Sequence, residues 1–429
     1  MTARNRELLA LIPASLLLTG GFAAVFVQRD DVLSDVSLTY GLIFLGLCLC
    51  AHLLIRFRLP DADPYMFPLV ALLACIGLVV IYRIDEELAR EQAQWFLVGL
   101  LAFAATIFFL RDYSVLERYR YTIALVGIGL LVLPRLSTPV NGAYLSFEAG
   151  PITFQPAELA KICIIVFLAS YLRDTRQLLV TAGRRLGPVT LPPLKHLGPL
   201  LMVWGAAMAM LFVIQDIGSS LMFFGGFLAV LYVATNRLLF PVAGLVLFAV
   251  GARVLYAIRP TIENRVDAWQ TPFDPRLYDQ VGGSYQLAQS LFAQADGGVL
   301  GQGFGQALLE VNGSQLLPAA HTDLVYAVIT NEVGLVGACG VILTYLLLVQ
   351  RGFKTAVLAR DSFSKLLAVG LTSVVALQVF VIVGGVTKVI PLTGVTLPFV
   401  SYGGSSIVAN FILLALLLLI SDKARRGAP

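Results

Sequence analysis

The stretch 259-RPTIENRVDAWQTPFDPRLYDQVGGSYQLAQSLFAQADGGVLGQGFGQALLEVNGSQLLPAAHTD-323 gathers acids, amides, glycines and prolines between two long apolar runs, Leu239 to Ala257 and Leu324 to Val349. It sets the reading of the whole chain. Of 429 residues, 58% are hydrophobic and only 13% charged, and the mean hydropathy is +0.85. A water-soluble globule of that composition could not cover its apolar surface. The expected fold is therefore all-α and polytopic in a membrane, with this polar stretch held at one face.

A helix rising 1.5 Å per residue needs about 20 apolar residues to cross the hydrocarbon. Twelve runs qualify: approximately Leu8 to Val27, Ser37 to Ile55, Tyr65 to Tyr82, Gln92 to Leu110, Tyr121 to Leu133, Pro156 to Leu172, Gly198 to Ile214, Gly218 to Ala234, Leu239 to Ala257, Leu324 to Val349, Leu366 to Val386 and Val395 to Ile420. Cytoplasmic connections retain Lys and Arg. Placing the amino terminus inside assigns roughly two-thirds of the 30 Lys and Arg to inner loops. Both termini are then cytoplasmic, and the segments Arg135 to Gln155, Arg259 to Asp323 and the loop around Lys388 face outward. The net charge of +4 is spread over these short loops, which fits membrane topology and not a nucleic-acid partner. Cys48, Cys50, Cys75, Cys163 and Cys339 lie in apolar runs without metal or redox spacing and read as small hydrophobes. His52, His196 and His321 are too scattered for a metal cluster. With no short apolar core ending in a small-residue cleavage site, the first run is expected to stay as an anchor.

Within the polar stretch, Pro272 and Pro275 bracket Phe273 and Asp274, keeping the backbone extended and presenting the acid at a rigid bend. The following GGSYQLAQSLFAQ reads as a glycine hinge and an amphipathic run, with Leu287, Leu291 and Phe292 on one side, lying on the membrane surface. GGVLGQGFGQ reads as a flexible turn and not a nucleotide loop, since no strand precedes it and no GK[ST] follows. Upstream, Pro156 suits a first helical turn, and Glu158 and Lys161 share one face about a turn deep. Ionisable residues at membrane depth mark a polar cavity or a charged substrate, or form a buried pair that fixes helix packing. Asp216 reads as an interfacial cap or as a further group lining the same cavity, followed by Gly218, Ser219 and Ser220, which permit close helix approach. PAAHTDLVYAVITNEVGLVG opens the next helix, with Thr322 and Asp323 at its start and Glu332 some two turns inside. The run 383-VGGVTKVIPLTGVTLPFVSYGGSS-406 crowds Gly and Pro around Lys388 and offers Ser401, Ser405 and Ser406. Such broken helix is tolerated only where it faces protein or a watery cavity.

GPITFQPAELAKI, PAAHTD with EVGLVG, and PLTGVTLPFVSYGGSS together resemble the FtsW/RodA/SpoVE (SEDS) family, in consistent order over roughly residues 65 to 420. The resemblance implies a ten-helix core over residues 65–422 with a large extracytoplasmic loop at 258–322, and makes residues 1–64 an addition of two helices. It implies a peptidoglycan glycosyltransferase of the cytoplasmic membrane that polymerises lipid II at the outer face, partnered by a class B penicillin-binding protein. By position, the family's catalytic aspartate falls on Asp274. The spacing differs from the family's around this acid, which keeps Asp279 as an alternative. In the first outer loop, Leu145 and Ser146 replace the arginine and tryptophan often found there, and Ile382 and Lys388 depart from the pattern before PLTG. The resemblance assigns Lys161, Glu158, Arg265, His321, Asp323, Glu332 and Ser405 to the substrate side, with Lys161 and Arg265 offsetting the diphosphate and Glu158 orienting Lys161. It requires no cofactor and leaves open a divalent cation, Mg²⁺ or Mn²⁺, at the leaving group. Two other readings stand beside it, a lipid II flippase or twelve-helix carrier, and a scaffold for a separate synthase. The asymmetric polar stretch argues against a two-fold repeat carrier.

Overall fold

The structure is a computed structural model describing residues 2–30, 35–110, 112–137, 147–149, 152–181, 184–186, 189–191, 198, 201–202, 205, 217–278, 280, 283–307, 309–311 and 314–426. In hydrocarbon every backbone N–H and C=O must be paired within its own segment, so the apolar runs become helices. In chain order these are α1 (Ala3–Asp30), α2 (Asp35–Arg58), α3 (Met66–Ile84), α4 (Glu86–Phe109), α5 (Val115–Arg118), α6 (Arg120–Val132), α7 (Pro156–Thr181), α8 (Ile217–Thr235), α9 (Leu239–Ile258), α10 (Pro260–Gln270), α11 (Tyr285–Gly297), α12 (Val325–Leu358), α13 (Ser362–Val386) and α14 (Gly404–Arg425). Short antiparallel hairpins, such as Phe147–Ala149 with Ile152–Phe154, decorate the connections. Helix starts follow local chemistry. The Asp85 carboxylate accepts the N–H groups of Glu87 and Leu88 at 2.7 and 3.1 Å to cap α4, and Asp361 accepts that of Ser364 at 2.9 Å to cap α13.

The body is all-α and membrane-spanning, as the composition requires. Nine helices among the described residues are long and apolar enough to cross a bilayer. The expected run Tyr121 to Leu133 forms the 13-residue α6, and Pro156 to Leu172 lies in the 26-residue α7. The run Gly198 to Ile214 falls largely outside the described residues, as do Leu145, Ser146 and Asp216.

Helices α4 and α14 pack along each other, α6 along α7, α12 along α13, and α1 against both α2 and α3. Aromatic rings fill the centre, with Phe96, Phe103 and Phe399 set around Phe411 at 5.4, 6.2 and 5.4 Å. The end carrying both termini is tied by charge. Arg4 bonds Glu7 and the Ala62 carbonyl, Glu7 meets His52 at 2.9 Å, and the fully buried Asp63 pairs with Arg425, with Arg351 at 3.7 Å.

At the opposite end, the stretch from 259 to 323 is no single loop, since it folds into α10, α11 and a short hairpin, Glu310–Val311 with Ser314–Gln315. Helix α11 packs against α12, burying Leu287, Ala288 and Ser290, so protein covers part of the apolar side that the amphipathic pattern directs to the membrane surface. Its polar side explains the difference. Ser290 Oγ and Gln294 Nε2 donate to the Val386 carbonyl at 3.0 and 2.9 Å, satisfying the last turn of α13. Phe292 remains outward and stacks on Phe273 at 5.5 Å.

Helix α12 is sharply broken at Gly334, where φ is 65° and ψ −172°. Beyond the break, about 24 residues, or roughly 36 Å, remain to cross the hydrocarbon. Glu332 therefore belongs to the short first piece at the membrane boundary, not two turns inside a continuous span. The segment 298–303 fills the break. Gln302 and Gly303 donate to the Asn331 and Glu332 carbonyls at 2.9 and 3.0 Å, and the Gly298 and Val299 carbonyls accept from Leu335 and Val336 at 3.0 and 3.2 Å. A Cβ on Gly301 would stand 2.2 Å from the Glu332 carbonyl oxygen, and one on Gly334 2.3 Å from the Gly301 nitrogen. Gly334→Ala and Gly301→Ala are each expected to destabilise the fold by about 1–3 kcal/mol, read as a lower thermal midpoint in detergent, while Gly340→Ala, with open space at its Cβ, leaves the midpoint unchanged.

Candidate active site

Between α10, the start of α11 and the non-helical run from Thr387 to Gly403 lies a cavity of about 260 Å³. Arg265 and Ala268 of α10 form one wall, Tyr285, Gln286 and Leu287 of α11 a second, Asp323 and Pro318 a third, and Leu392 and Gly394 the floor. Tyr278, Gln280 and Gly283 close it from the connection between the two helices. Trp269 Nε1 donates to the Lys388 carbonyl at 3.1 Å, which pins α10 over the broken segment. Tyr278 sets its ring edge-on to Tyr285 at 5.1 Å, and its hydroxyl accepts from Gln289 Nε2 at 2.9 Å. The result is a small polar chamber beside lipid-facing helices, carrying one guanidinium and one described carboxylate, from Asp323.

Asp274 sits on the bend between Pro272 and Pro275, but it does not line this chamber. Its carboxylate is taken by Arg276, with Oδ2 2.8 Å from Nη2 and Oδ1 3.1 Å from Nε, and it also accepts the Arg276 backbone N–H at 3.0 Å. These bonds hold the Asp274 carboxyl below its ordinary range and raise Arg276. Asp279 lies outside the described residues; its chain neighbours Tyr278 and Gln280 both line the chamber.

The remaining expected site residues divide into two groups away from the chamber. Lys161 is 2% exposed and Glu158 5%, and neither lines the chamber. Lys161 bonds Glu158 and donates to Gln378 Oε1 at 2.9 Å, and Gln378 Nε2 donates to the Thr396 carbonyl at 2.8 Å. The chain of contacts continues from Thr396 Oγ1 to Ser406 Oγ at 2.9 Å. Ser405 Oγ accepts the Gln155 N–H at 2.9 Å, and Ser401 Oγ donates to the Thr322 carbonyl at 2.6 Å. His321 gives its carbonyl to the Tyr402 N–H at 2.8 Å and its ring to Tyr402 at 5.7 Å, and burial lowers its pKa. This network supplies partners to backbone that the broken segment leaves outside any helix. Glu332 stands apart, 3.5 Å from Arg83, whose guanidinium donates to the Gly305 and Ala307 carbonyls at 2.9 and 3.1 Å. The pair clamps the segment running toward the chamber.

Sequence reasoning missed Gln378, Gln92 and Arg83. Gln378 was accessible to it, as an amide inside an apolar run; Gln92, which donates to the Ser401 carbonyl at 3.1 Å, sits near a helix start where amides are ordinary. Among the described residues no group of three or more His, Cys, Asp or Glu converges as a metal cluster. Breaking a buried ion pair leaves an uncompensated charge and costs about 3–5 kcal/mol, whereas replacing both partners by apolar groups is close to neutral. Glu158→Leu is accordingly expected to lower the thermal midpoint strongly, and Glu158→Leu/Lys161→Met to recover most of it.

Comparison with known proteins agrees with this architecture. The family described as cell cycle protein, FtsW/RodA/SpoVE, matches residues 64–426. The peptidoglycan glycosyltransferase RodA of Mycobacterium tuberculosis is 42% identical over 439 residues, covering 99% of this chain and 92% of its own. Stage V sporulation protein E of Bacillus subtilis is 29% identical over 376 residues, covering 85% and 98%. The crystal structure of the rod shape determining protein RodA of Thermus thermophilus superposes with a TM-score of 0.60 at 25% identity, covering 86% of this chain and 98% of its own. A chain of a peptidoglycan synthase complex, solved to show how polymerization and crosslinking are coordinated, superposes at 0.67 and 26% identity, covering 85% and 99%. With a helical bundle that superposes on those of these solved structures and a family match across most of its length, this membrane protein belongs to the FtsW/RodA/SpoVE family.

Proposed function

We propose that the chain is a peptidoglycan glycosyltransferase that polymerises lipid II at the outer face of the cytoplasmic membrane. The observation that carries this reading is the chamber itself, a polar pocket with Arg265 and Asp323 in its walls, set at one end of a bundle whose flanks are lipid-facing. A polyprenyl-diphosphate sugar needs that combination, with the diphosphate at a cation in the chamber and the lipid tail along the helices. The Mycobacterium tuberculosis relative named for this activity supports it over nearly the full chain. The end carrying both termini is the cytoplasmic one, in keeping with its bases Arg4, Arg58, Arg351, Lys423 and Arg425.

In the reaction, the hydroxyl of an acceptor sugar attacks the anomeric carbon of the donor. The bond from that carbon to the diphosphate oxygen breaks, the polyprenyl diphosphate leaves with the electron pair, and the carbon inverts. One carboxylate taking the hydroxyl proton suffices, because diphosphate is a good leaving group. Asp274, at the bend between Pro272 and Pro275 and four residues before Tyr278 of the chamber wall, is the base this reading adopts, with Asp279 as the alternative. The largely exposed Arg276 keeps the Asp274 carboxylate ionised, the form that accepts a proton, and an exposed pair of this kind is readily exchanged for substrate. Arg265 meets the diphosphate in place of Lys161, whose ammonium is committed to Glu158 and Gln378. Asp323 offers the carboxylate that a hard divalent cation takes beside substrate phosphate oxygens, where such an ion would neutralise the leaving charge. The partner transpeptidase, a class B penicillin-binding protein, is proposed from the likeness to the synthase-complex chain.

The test is polymerisation of lipid II by the purified protein, read as glycan strands on a gel. Asp274→Ala is expected to lower the rate by about 10²–10⁴, and Asp279→Ala to leave it within a fewfold of wild type. Strands at full rate from Asp274→Ala together with their loss from Asp279→Ala would pass the role to Asp279. Lipid II crossing a vesicle bilayer with no strands formed would replace polymerisation by transport.

Acid dependence separates the same candidates. Arg276 holds the Asp274 carboxyl low, so Arg276→Ala moves it up toward the ordinary value near 3.9. Were Asp274 the base, activity would be lost only as pH falls through its depressed pKa, and the acid limb of kcat/KM would shift upward in Arg276→Ala. That upward shift is the expected result, and an acid limb unmoved by the substitution would pass the role to Asp279.

A further inference from the structure

At the end of the bundle that carries both termini, α2, α4 and α14 enclose a second cleft, of about 440 Å³. Its polar lining comprises Arg58, Asp112, Asp422, Lys423 and Arg426, over an apolar floor of Leu59, Ile107 and Leu419. The two carboxylates already have structural duties. Asp422 accepts the Asp61 N–H at 2.9 Å and pairs with Arg426 at 2.6 Å, and Asp112 accepts the Ser114 N–H at 3.1 Å with Lys423 3.9 Å away. Arg58 lies 4.4 Å over the Phe108 ring and has no carboxylate partner among the described residues. Three bases against two acids leave the cleft with an excess of positive charge. Beside it, Phe57, Phe108 and Phe109 are 79%, 53% and 81% exposed. At the ends of spanning helices such rings sit at the membrane interface, which puts the cleft at headgroup depth.

We propose that this cleft binds the headgroup of an anionic phospholipid, with Arg58, Lys423 and Arg426 facing the phosphodiester and the acyl chains lying along the lipid-facing sides of α2 and α4. Basic pockets between spanning helices attract anionic headgroups, and the planar guanidinium fork matches phosphate oxygens. A zwitterionic lipid offers the same phosphate but carries an ammonium that the surplus base repels, so the site selects for net negative charge. Bound there, the lipid bridges the amino-terminal helix pair to α4 and α14. The site rests on charge and depth alone and does not depend on the reaction at the opposite end.

The experiment uses the full chain in nanodiscs of equimolar phosphatidylcholine and phosphatidylglycerol, followed by native mass spectrometry of the lipids that remain bound. Wild type is expected to retain phosphatidylglycerol in preference to phosphatidylcholine, and Arg58→Gln/Arg426→Gln to weaken that retention about thirtyfold, at the usual contribution of each base near a membrane surface. Arg90→Gln, at the far end of α4, leaves it unchanged. Arg58→Lys keeps the charge and the preference, which separates lost binding from lost folding in the glutamine pair. Equal retention of the two lipids by wild type, or unchanged retention in the double variant, overturns the proposal. Displacement of the lipid by millimolar inorganic phosphate also overturns it and assigns the cleft to a soluble anion.

Discussion

The constraint on which this structure depends is that a peptide group in hydrocarbon must find its hydrogen-bond partner inside the protein. Most of the chain meets it by remaining helical. At two places it does not, the break at Gly334 and the run from Thr387 to Gly403, and there the partners come from elsewhere. The segment 298–303 supplies backbone groups to both halves of the broken α12. Gln92, Gln378, Ser401 and the Thr322 carbonyl serve the second region. The chamber with Arg265 and Asp323 lies against the second of these regions, with Leu392 and Gly394 as its floor, where the backbone turns away from its helices and makes room for a polar ligand.

The charged residues at membrane depth sort by the same logic. Lys161 and Glu158 look from their spacing like groups aimed at a substrate, yet they bond each other and Gln378, so their charge stabilises the scaffold behind the chamber. Arg83 and Glu332 act on the connection between α11 and α12 by holding the backbone near Gly305 and Ala307. Arg265 and Asp323 are the members of the expected set that meet in the chamber. A buried ion pair and a ligand-binding ion look alike in a linear pattern, and only burial separates them.

Much of the fold was legible because hydrophobic run length is a strong signal. The polytopic helical body and the irregularity of PLTGVTLPFVSYGGSS follow from local composition, whereas capping did not follow it, since α12 starts at Leu324 without a side-chain cap from Thr322 or Asp323. The break in α12 was not legible, since a single glycine in EVGLVG is common inside spanning helices, and the φ of 65° arises from the packing of Gly301 against it. The placement of α11 was not legible either, because Leu287, Leu291 and Phe292 describe a sided helix without saying whether lipid or protein covers it. Of the candidate site, the polar stretch was evident as its location. The engagement of Asp274 by Arg276 was not, because spacing does not show which way an exposed guanidinium two residues on will turn.

The ion cluster at the termini has a consequence for how the chain assembles. Arg425 reaches Asp63 across 362 residues of sequence, Asp422 accepts the Asp61 N–H across 361, and Ser421 Oγ accepts that of Asp63 across 358. A ribosome delivering helices one after another therefore inserts Asp63 long before its counter-charge exists. The bundle has a clasp made from the connection between α2 and α3 and from its last helix. Arg351 of α12 is the first counter-charge to be made and Arg425 the second, so the acid at this clasp gains its full set of native partners only when synthesis of the chain is nearly finished.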